Sequence, residues 1–326
     1  MKIQNNYFGF SKETMQYAFK YMPAVIAIVL ITILGQILSP GFASMNNMGN
    51  ILTVASLLAI ISIGQCIVFI AGNSGIDLSV GALVSLGAVM GPMISGGLEH
   101  RLPYAILMVL LTGAVFGGLS GIGVQIIKVP PLVMTLVMAA VVRGFTMAYT
   151  GGAPGWLIPP SLARVASPFL GEVRPVMIWM LVIIIAFEFV LRRLRYGKSL
   201  YMIGSNRSAG RLCGLPVSFL AISAYVVAGM MSCFGGIFFA GFSGVGELGM
   251  GEFYTMQTVA VVVIGGISVK GGSGSLIGVV LGSIVLTLLT SILVALGLQA
   301  GVREFFQGMI LLAILIITCR EKKLRQ

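Results

Sequence analysis

The sequence predicts an all-α integral membrane protein with about ten transmembrane helices, both termini cytoplasmic, and interrupted helices near 71–79 and 270–275. Three observations carry that prediction. Of 326 residues, 58% are hydrophobic and 9% charged, against about 25% charged in an ordinary soluble domain. Too little polar surface remains to cover a soluble core, so lipid is the solvent. The apolar residues fall in runs near the length of about 20 that a spanning helix needs. The basic residues, finally, fall mostly between alternate runs.

Residues 1–20 are polar and read as a short cytoplasmic segment. Lys20, the apolar run after it and Gly41-Phe42-Ala43 imitate a cleavable signal, but a first span that stays in place is the better reading in a chain with many spans. The ten runs are 21–38, 51–70, 79–97, 104–127, 132–150, 175–191, 217–241, 255–269, 276–296 and 305–319. The eighth is short, and KGGSGS at 270–275 separates it from the ninth. With both ends inside, cytoplasmic segments hold fifteen of the twenty Lys and Arg. The outer segments hold Arg101, Arg164, Arg174 and Arg303, and Arg143 lies within a span. Cytoplasmic loops of membrane proteins are enriched in this way, so the net charge of +11 reads as topology and not as a nucleic-acid footprint. The division is a cytoplasmic segment 1–20, a transmembrane domain 21–319 with a cytoplasmic loop at 192–216, and a basic tail 320–326.

Glycines spaced by four (Gly113, Gly117 and Gly121; Gly87 and Gly91; Gly278 and Gly282) put small residues on single helix faces, where backbones approach closely. Cys66, Cys213, Cys233 and Cys319 form no C-x-x-C pair, and there is one histidine, His100. Neither a disulfide framework nor a zinc site is spelled. No phosphate-cradling G-x-x-x-x-G-K-[ST] occurs. Gly244, Gly246 and Gly249 match a dinucleotide fingerprint in spacing alone, since they come after a membrane span and not a strand. The sequon at Asn206 falls on the cytoplasmic side. No nucleophile–base pair or paired carboxylates stand out, so catalysis by this chain has no support.

Asp77, in AGNSGIDLSVGA, has two readings. Asp77 or Ser79 caps the helix that begins near Val80, after a turn at Gly75; or the segment is a polar lining or hinge beside a transport path, where broken helices are tolerated at membrane depth. Arg143, near the middle of its span, is a functional candidate by position, or it satisfies carbonyls or an acid on another helix. Glu188, near an inner end, is expected to reach toward the cytoplasm.

The loop RRLRYGKSLYMIGSNRSAGRLCGLP, 192–216, gathers six basic residues and no acid. Asn206 is a good N-cap and Gly214 a good C-terminal stop. The short helix between them puts Ala209, Leu212 and Cys213 on one face and Arg207 and Arg211, spaced i, i+4, on another. A helix of two turns is marginal alone, and its like charges weaken it further. It therefore reads as a docking element.

Three separated segments give the chain a family likeness from about residue 45 onward. SGIDLSVGA (74–82), VPPLVMTLVMAAVVRGFTMAYTGG (129–152) and VVVIGGISVKGGSGSLIGVVLG (261–282) resemble motifs of the permease subunits of bacterial ABC importers in the ribose, xylose and galactose branch. RYGKSLYMIGSNRSAGRLCGL is similar to that family's cytoplasmic signature, with Asn206, Ala209, Arg211 and Gly214 matching and Arg207 and Ser208 standing where acids are usual. The resemblance implies an ATPase-coupling helix built on Asn206, Arg207, Ala209, Arg211, Leu212 and Gly214. It places the translocation path or hinge at Gly75, Asp77, Ser79, Arg143, Gly265, Gly266, Gly271 and Gly272. It also implies a multi-pass protein of the bacterial cytoplasmic membrane that carries a monosaccharide-like solute by alternating access. Its partners would be a separate ABC ATPase holding ATP and Mg, a second permease chain (the same or a homologue), a periplasmic or surface solute-binding protein and membrane lipid. No cofactor is expected on this chain. Ile267 and Ser273 depart from the family pattern, as do Thr255, Met256 and Gln257, which leaves solute preference open. The rivals are an ion-gradient-driven secondary transporter and an integral-membrane enzyme.

Overall fold

The computed structural model describes residues 12–72, 75–152 and 155–319, excluding the side chains of 12–20, 300, 310–311 and 313–319. Among the described residues there is no β-strand, only isolated bridges pairing Trp156 with Gly246 and Leu170 with Val173. The helices are α1 (Lys12–Leu38), α2 (Met45–Ala71), α3 (Val80–Ser95), α4 (Leu102–Ile122), α5 (Pro131–Thr150), α6 (Pro160–Ala163), α7 (Pro175–Arg193), α8 (Arg195–Ser205), α9 (Arg207–Leu212), α10 (Val217–Ser243), α11 (Tyr254–Ile264), α12 (Leu276–Ala295) and α13 (Ala300–Cys319). Among the described residues seven helices are long and apolar enough to cross a membrane, and α3 and α11 are apolar but shorter. Each of the ten expected runs falls on a helix.

The bundle is organised around α2 and α10. From Leu57 to Ala71 the α2 side chains are buried all round, as befits a helix at the centre of a bundle rather than at its rim. α10 packs on α4, α3 and α2, while α2 also packs on α12 and α11. The order of packing thus repeats: α2, a break and α3 beside α4 in the first half; α10, a break and α11 beside α12 in the second. The glycine ladders make these contacts. A Cβ on Gly113 or Gly117 would strike the backbone of Gly229 or Tyr225, one on Gly87 that of Cys233, and one on Gly282 that of Val261. α1 runs along the outside against α12, with Val29, Ile33 and Ile37 exposed.

Several expectations change. α1 begins at Lys12, so half of the expected polar segment 1–20 is helix; residues 1–11 and the tail 320–326 lie outside the described residues. The expected span 255–269 stops at Ile264. Its 11 residues rise about 16 Å, half of a hydrocarbon core of about 30 Å. The stretch before it, 244–253, runs along α3. Gly246 packs on Ala88 and Pro92 of α3, and Gly251 packs further down, on Gly81 and Ser85. The Gly251 N–H donates to Ser85 Oγ at 2.9 Å, and the Gly81 N–H to Thr255 Oγ1 at 3.2 Å. The first turn of α3 therefore meets the first turn of α11, where Thr255 satisfies a backbone N–H that the start of α3 leaves open. Gly244 and Gly249 turn this chain with φ of 75° and 79°, a conformational reason for their presence apart from any dinucleotide. In the segment 151–174 the short elements are α6 and a 3₁₀ turn, Arg164–Ala166.

Candidate functional site

The loop 192–216 is mostly helix. α8 forms because Gly197, Leu200 and Ile203 recur every three residues and are buried together, while Arg195, Lys198 and Met202 face outward. Asn206 ends α8 and begins α9, in extended conformation (φ −158°, ψ 106°). Its Oδ1 accepts the Ala209 N–H at 3.0 Å, the expected N-cap bond. α9 closes with a Schellman pair: the Leu215 N–H donates to Gly210 O and the Gly214 N–H to Arg211 O, both at 3.0 Å. Gly214 supplies the left-handed turn at φ 74°.

The shared face expected for Arg207 and Arg211 does not form. Arg207 turns inward, its Nη1 donating to Gln125 Oε1 at 2.7 Å. Gln125 belongs to a π-turn, Gly123–Ile127, that ends α4, in the way such turns re-aim side chains at functional sites. Burial pulls the Arg207 guanidinium below its ordinary pKa, yet an arginine stays charged. Gly210 is buried beneath α9, whereas Ala209, Arg211 and Leu212 are exposed, Leu212 by 90%. A leucine presented to that degree on a six-residue helix has little to pack against among the described residues.

Both predicted interruptions converge under this unit. A Cβ on Gly204, near the end of α8, would strike Ile70 O and sit 2.6 Å from the Gly272 nitrogen. One on Gly271 would strike Gly72 and sit 2.9 Å from Gly204 O, and one on Gly72 would sit 2.8 Å from the same oxygen. Gly72, Gly204, Gly271 and Gly272 thus let three backbones touch. The Gly272 N–H donates to Ile70 O at 3.0 Å, and Tyr201 Oη donates to Gly274 O at 2.9 Å. Gly266, at φ 71°, turns the chain out of α11, whereas Gly265 has ordinary φ and is required small because it packs on Gly278.

Glu188 does not reach to solvent as expected. Its Oε1 accepts from Ser275 Oγ at 2.9 Å and from Arg192, and its Oε2 accepts the Leu276 N–H at 2.9 Å. The carboxylate therefore caps α12, where a helix start favours negative charge.

Asp77 is wholly buried. Its Oδ1 accepts the Ser79 N–H at 2.8 Å and the Ser79 hydroxyl at 2.6 Å. Ser79 occupies the N-cap position of α3, but its own side chain makes no cap bond, so Asp77 holds the turn before the helix. Gly75 lies against Val68 and Gly72 in the same break. Asp77 Oδ2, Tyr225 Oη and Arg207 Nε are all buried without a protein hydrogen-bond partner. Tyr225 lies in the neighbourhood of both Asp77 and Arg207. One complementary set of groups thus lies between the break at 72–79 and the first residue of α9. Arg143 stands apart from all of this, paired with Glu252 at 2.8 Å. Gln125, Tyr225, Gly204 and Glu252 escaped sequence reasoning, whereas Glu188 was noticed as an acid near a helix end but its role as the α12 cap was not.

These features define a class: a many-span helical carrier with broken helices in its interior and a rigid, exposed helical knob on one face. Residues 47–315 match the model of the family described as branched-chain amino acid transport system / permease component. The chain belongs to that family of ABC importer permeases, within the branch of ribose, xylose and galactose importers. It is 33% identical over 301 residues to the autoinducer 2 import system permease protein LsrC of Escherichia coli (strain SMS-3-5 / SECEC), covering 91% of this chain and 86% of the relative. The protein of the same name from Yersinia pestis (strain Pestoides F) is 32% identical over 311 residues, covering 93% and 87%, and that of Shigella flexneri is 32% identical over 301 residues, covering 91% and 86%. The chain is thus a multi-pass permease subunit of an ABC importer, seated in the inner membrane.

Proposed function

We propose that α8 and α9 form the knob through which a separate ABC ATPase subunit drives this permease. The reading rests above all on Leu212 and Arg211, exposed at the tip of a capped helix whose base packs against both interruptions. ATP and Mg act on the ATPase, and this chain binds no cofactor of its own. A second permease chain, the same or homologous, completes the path, and a periplasmic or surface binding protein delivers the solute. Both termini lie in the cytoplasm, as the basic residues of 192–216 and the tail require. By likeness to the relatives, the solute is autoinducer 2 or a sugar-like molecule of its kind.

Under this reading, closure of the ATPase pushes on α9, and α8 transmits the push through Gly204 to Ile70, Gly72 and Gly272. Arg207 transmits it to Gln125 at the end of α4 and toward Tyr225 on α10. The path hinges at the two breaks, near Gly75, Asp77 and Ser79 and near Gly265, Gly266, Gly271 and Gly272. Proteoliposomes holding the complete complex are expected to take up autoinducer 2 only with ATP at the cytoplasmic face and the binding protein at the outer face. Uptake that proceeds without ATP and collapses with an uncoupler would overturn the reading in favour of an ion-gradient carrier.

A further inference from the structure

Charge lies in the bundle where this chain does not bury it. Arg143, the thirteenth of the twenty residues of α5, is bonded to Glu252, which stands two residues before α11. The two side chains are 55% and 47% exposed. Exposed ionised groups at that depth cannot face hydrocarbon; they face the bundle interior or a water-filled cavity. Two recesses share Glu252 as a wall, and Arg143 lines the smaller. One, of about 260 Å³, is lined by Ala82, Ser85, Arg143, Thr146, Leu248 and Glu252. The other, of about 570 Å³, is lined by Phe253, Met256, Gln257, Glu304 and Gln307, again with Glu252. The larger falls within the range of about 300–1,000 Å³ usual for small-molecule sites.

The wall chemistry selects a class of occupant. In the larger recess Glu252 and Glu304 accept hydrogen bonds and the Gln257 amide both donates and accepts, while Arg143 donates from the smaller recess across their shared Glu252, which matches hydroxyls that both donate and accept. Gln307 is already engaged, donating from Nε2 to Thr290 Oγ1 at 2.7 Å, and so holds α13 to α12 behind the recess. Phe253, 44% exposed, offers an apolar ring face. Glu304 leaves the walls net acidic once Arg143 and Glu252 offset each other, which disfavours an anion such as a sugar phosphate.

We propose that the Arg143–Glu252 pair, with Gln257 and Glu304, forms the station inside the permease that holds a neutral, polyhydroxylated solute in transit. This rests on the importer reading above and adds a place and a chemistry to it.

The test uses the complete complex in membranes, with Cys213 and Cys319 replaced by Ser. Met256→Cys is expected to react with a charged, water-soluble thiosulfonate applied outside, and autoinducer 2 is expected to slow that reaction several-fold. Ile185→Cys, on the outer surface of α7, is expected not to react. In the unsubstituted background, Glu252→Gln is expected to raise the KM for autoinducer 2 uptake about tenfold, with ATP hydrolysis stimulated by the binding protein staying within about twofold of normal. The charge-swapped double variant Arg143→Glu/Glu252→Arg separates a station from a structural ion pair: assembly and hydrolysis recover, whereas KM does not. An unreactive Met256→Cys, or a swap that restores KM, overturns the proposal. If the unsubstituted complex takes up no autoinducer 2, the solute assignment fails instead, and the thiosulfonate reaction alone decides whether this face is an aqueous station.

Discussion

Asn206 shows how one side chain can set a functional element. It ends α8, starts α9 and holds the Ala209 N–H. Loss of such a cap costs about 1 kcal/mol, which a six-residue helix has no surplus to absorb. Asn206→Ala is therefore expected to leave the permease folded but to cut ATP-driven uptake several-fold, while Asn206→Asp retains it; paired uptake and melting measurements check both. Glu188→Gln keeps the shape but removes the charge from the α12 cap. Hydrogen bonds to charged groups contribute about 1.5–3 kcal/mol, so its melting temperature in detergent is expected to fall. The cap at Asn206 was legible in the sequence because caps are local: acceptor, spacing and stop lie within nine residues. The inward turn of Arg207 was not. Its partner Gln125 is 82 positions away, and i, i+4 spacing alone placed Arg207 beside Arg211. Their roles separate accordingly: Arg211→Glu is expected to weaken ATPase binding in a pull-down, and Arg207→Glu to leave binding intact while lowering uptake per ATP hydrolysed.

Among elements, the long apolar runs were the most legible, because lipid demands length and hydropathy from each span independently of its neighbours. The half-length of α11 was less so. Its apolar run continues through Ile267 and Val269, and only the packing of Gly265 on Gly278 and the turn at Gly266 show where helix must stop. The positions of the two interruptions were readable from their glycines, but not that they meet. That meeting depends on Gly204, which in sequence is an ordinary glycine inside a loop. A Cβ there strikes Ile70 O, and overpacking costs about 1–3 kcal/mol. Gly204→Ala is expected to reduce uptake and thermal stability together. Gly144→Ala, where nothing lies within 4 Å, is expected to change neither, which separates a close approach from a general intolerance of alanine.

At the scale of the whole molecule, two similar halves (α2, α3 and α4; α10, α11 and α12) enclose the α3–α11 meeting point. The α8–α9 unit joins their inner ends at Gly72 and Gly272. A push on one small helix can thereby reach both breaks at once, which alternating access by such a bundle needs. Composition and the apolar runs announced a membrane protein of many spans, but no sequence pattern announced where charge stays exposed within the bundle. That came from the half-exposed pair Arg143 and Glu252, whose members lie on different elements. The central claim, that the ATPase grips α9, is tested most directly by a photo-crosslinking residue at Leu212 in the assembled complex. The account predicts an adduct with the ATPase subunit that diminishes when the same residue is placed at Leu157 on the outer segment. A Leu212 adduct confined to lipid or to the permease itself, with the ATPase still bound and active, would contradict it.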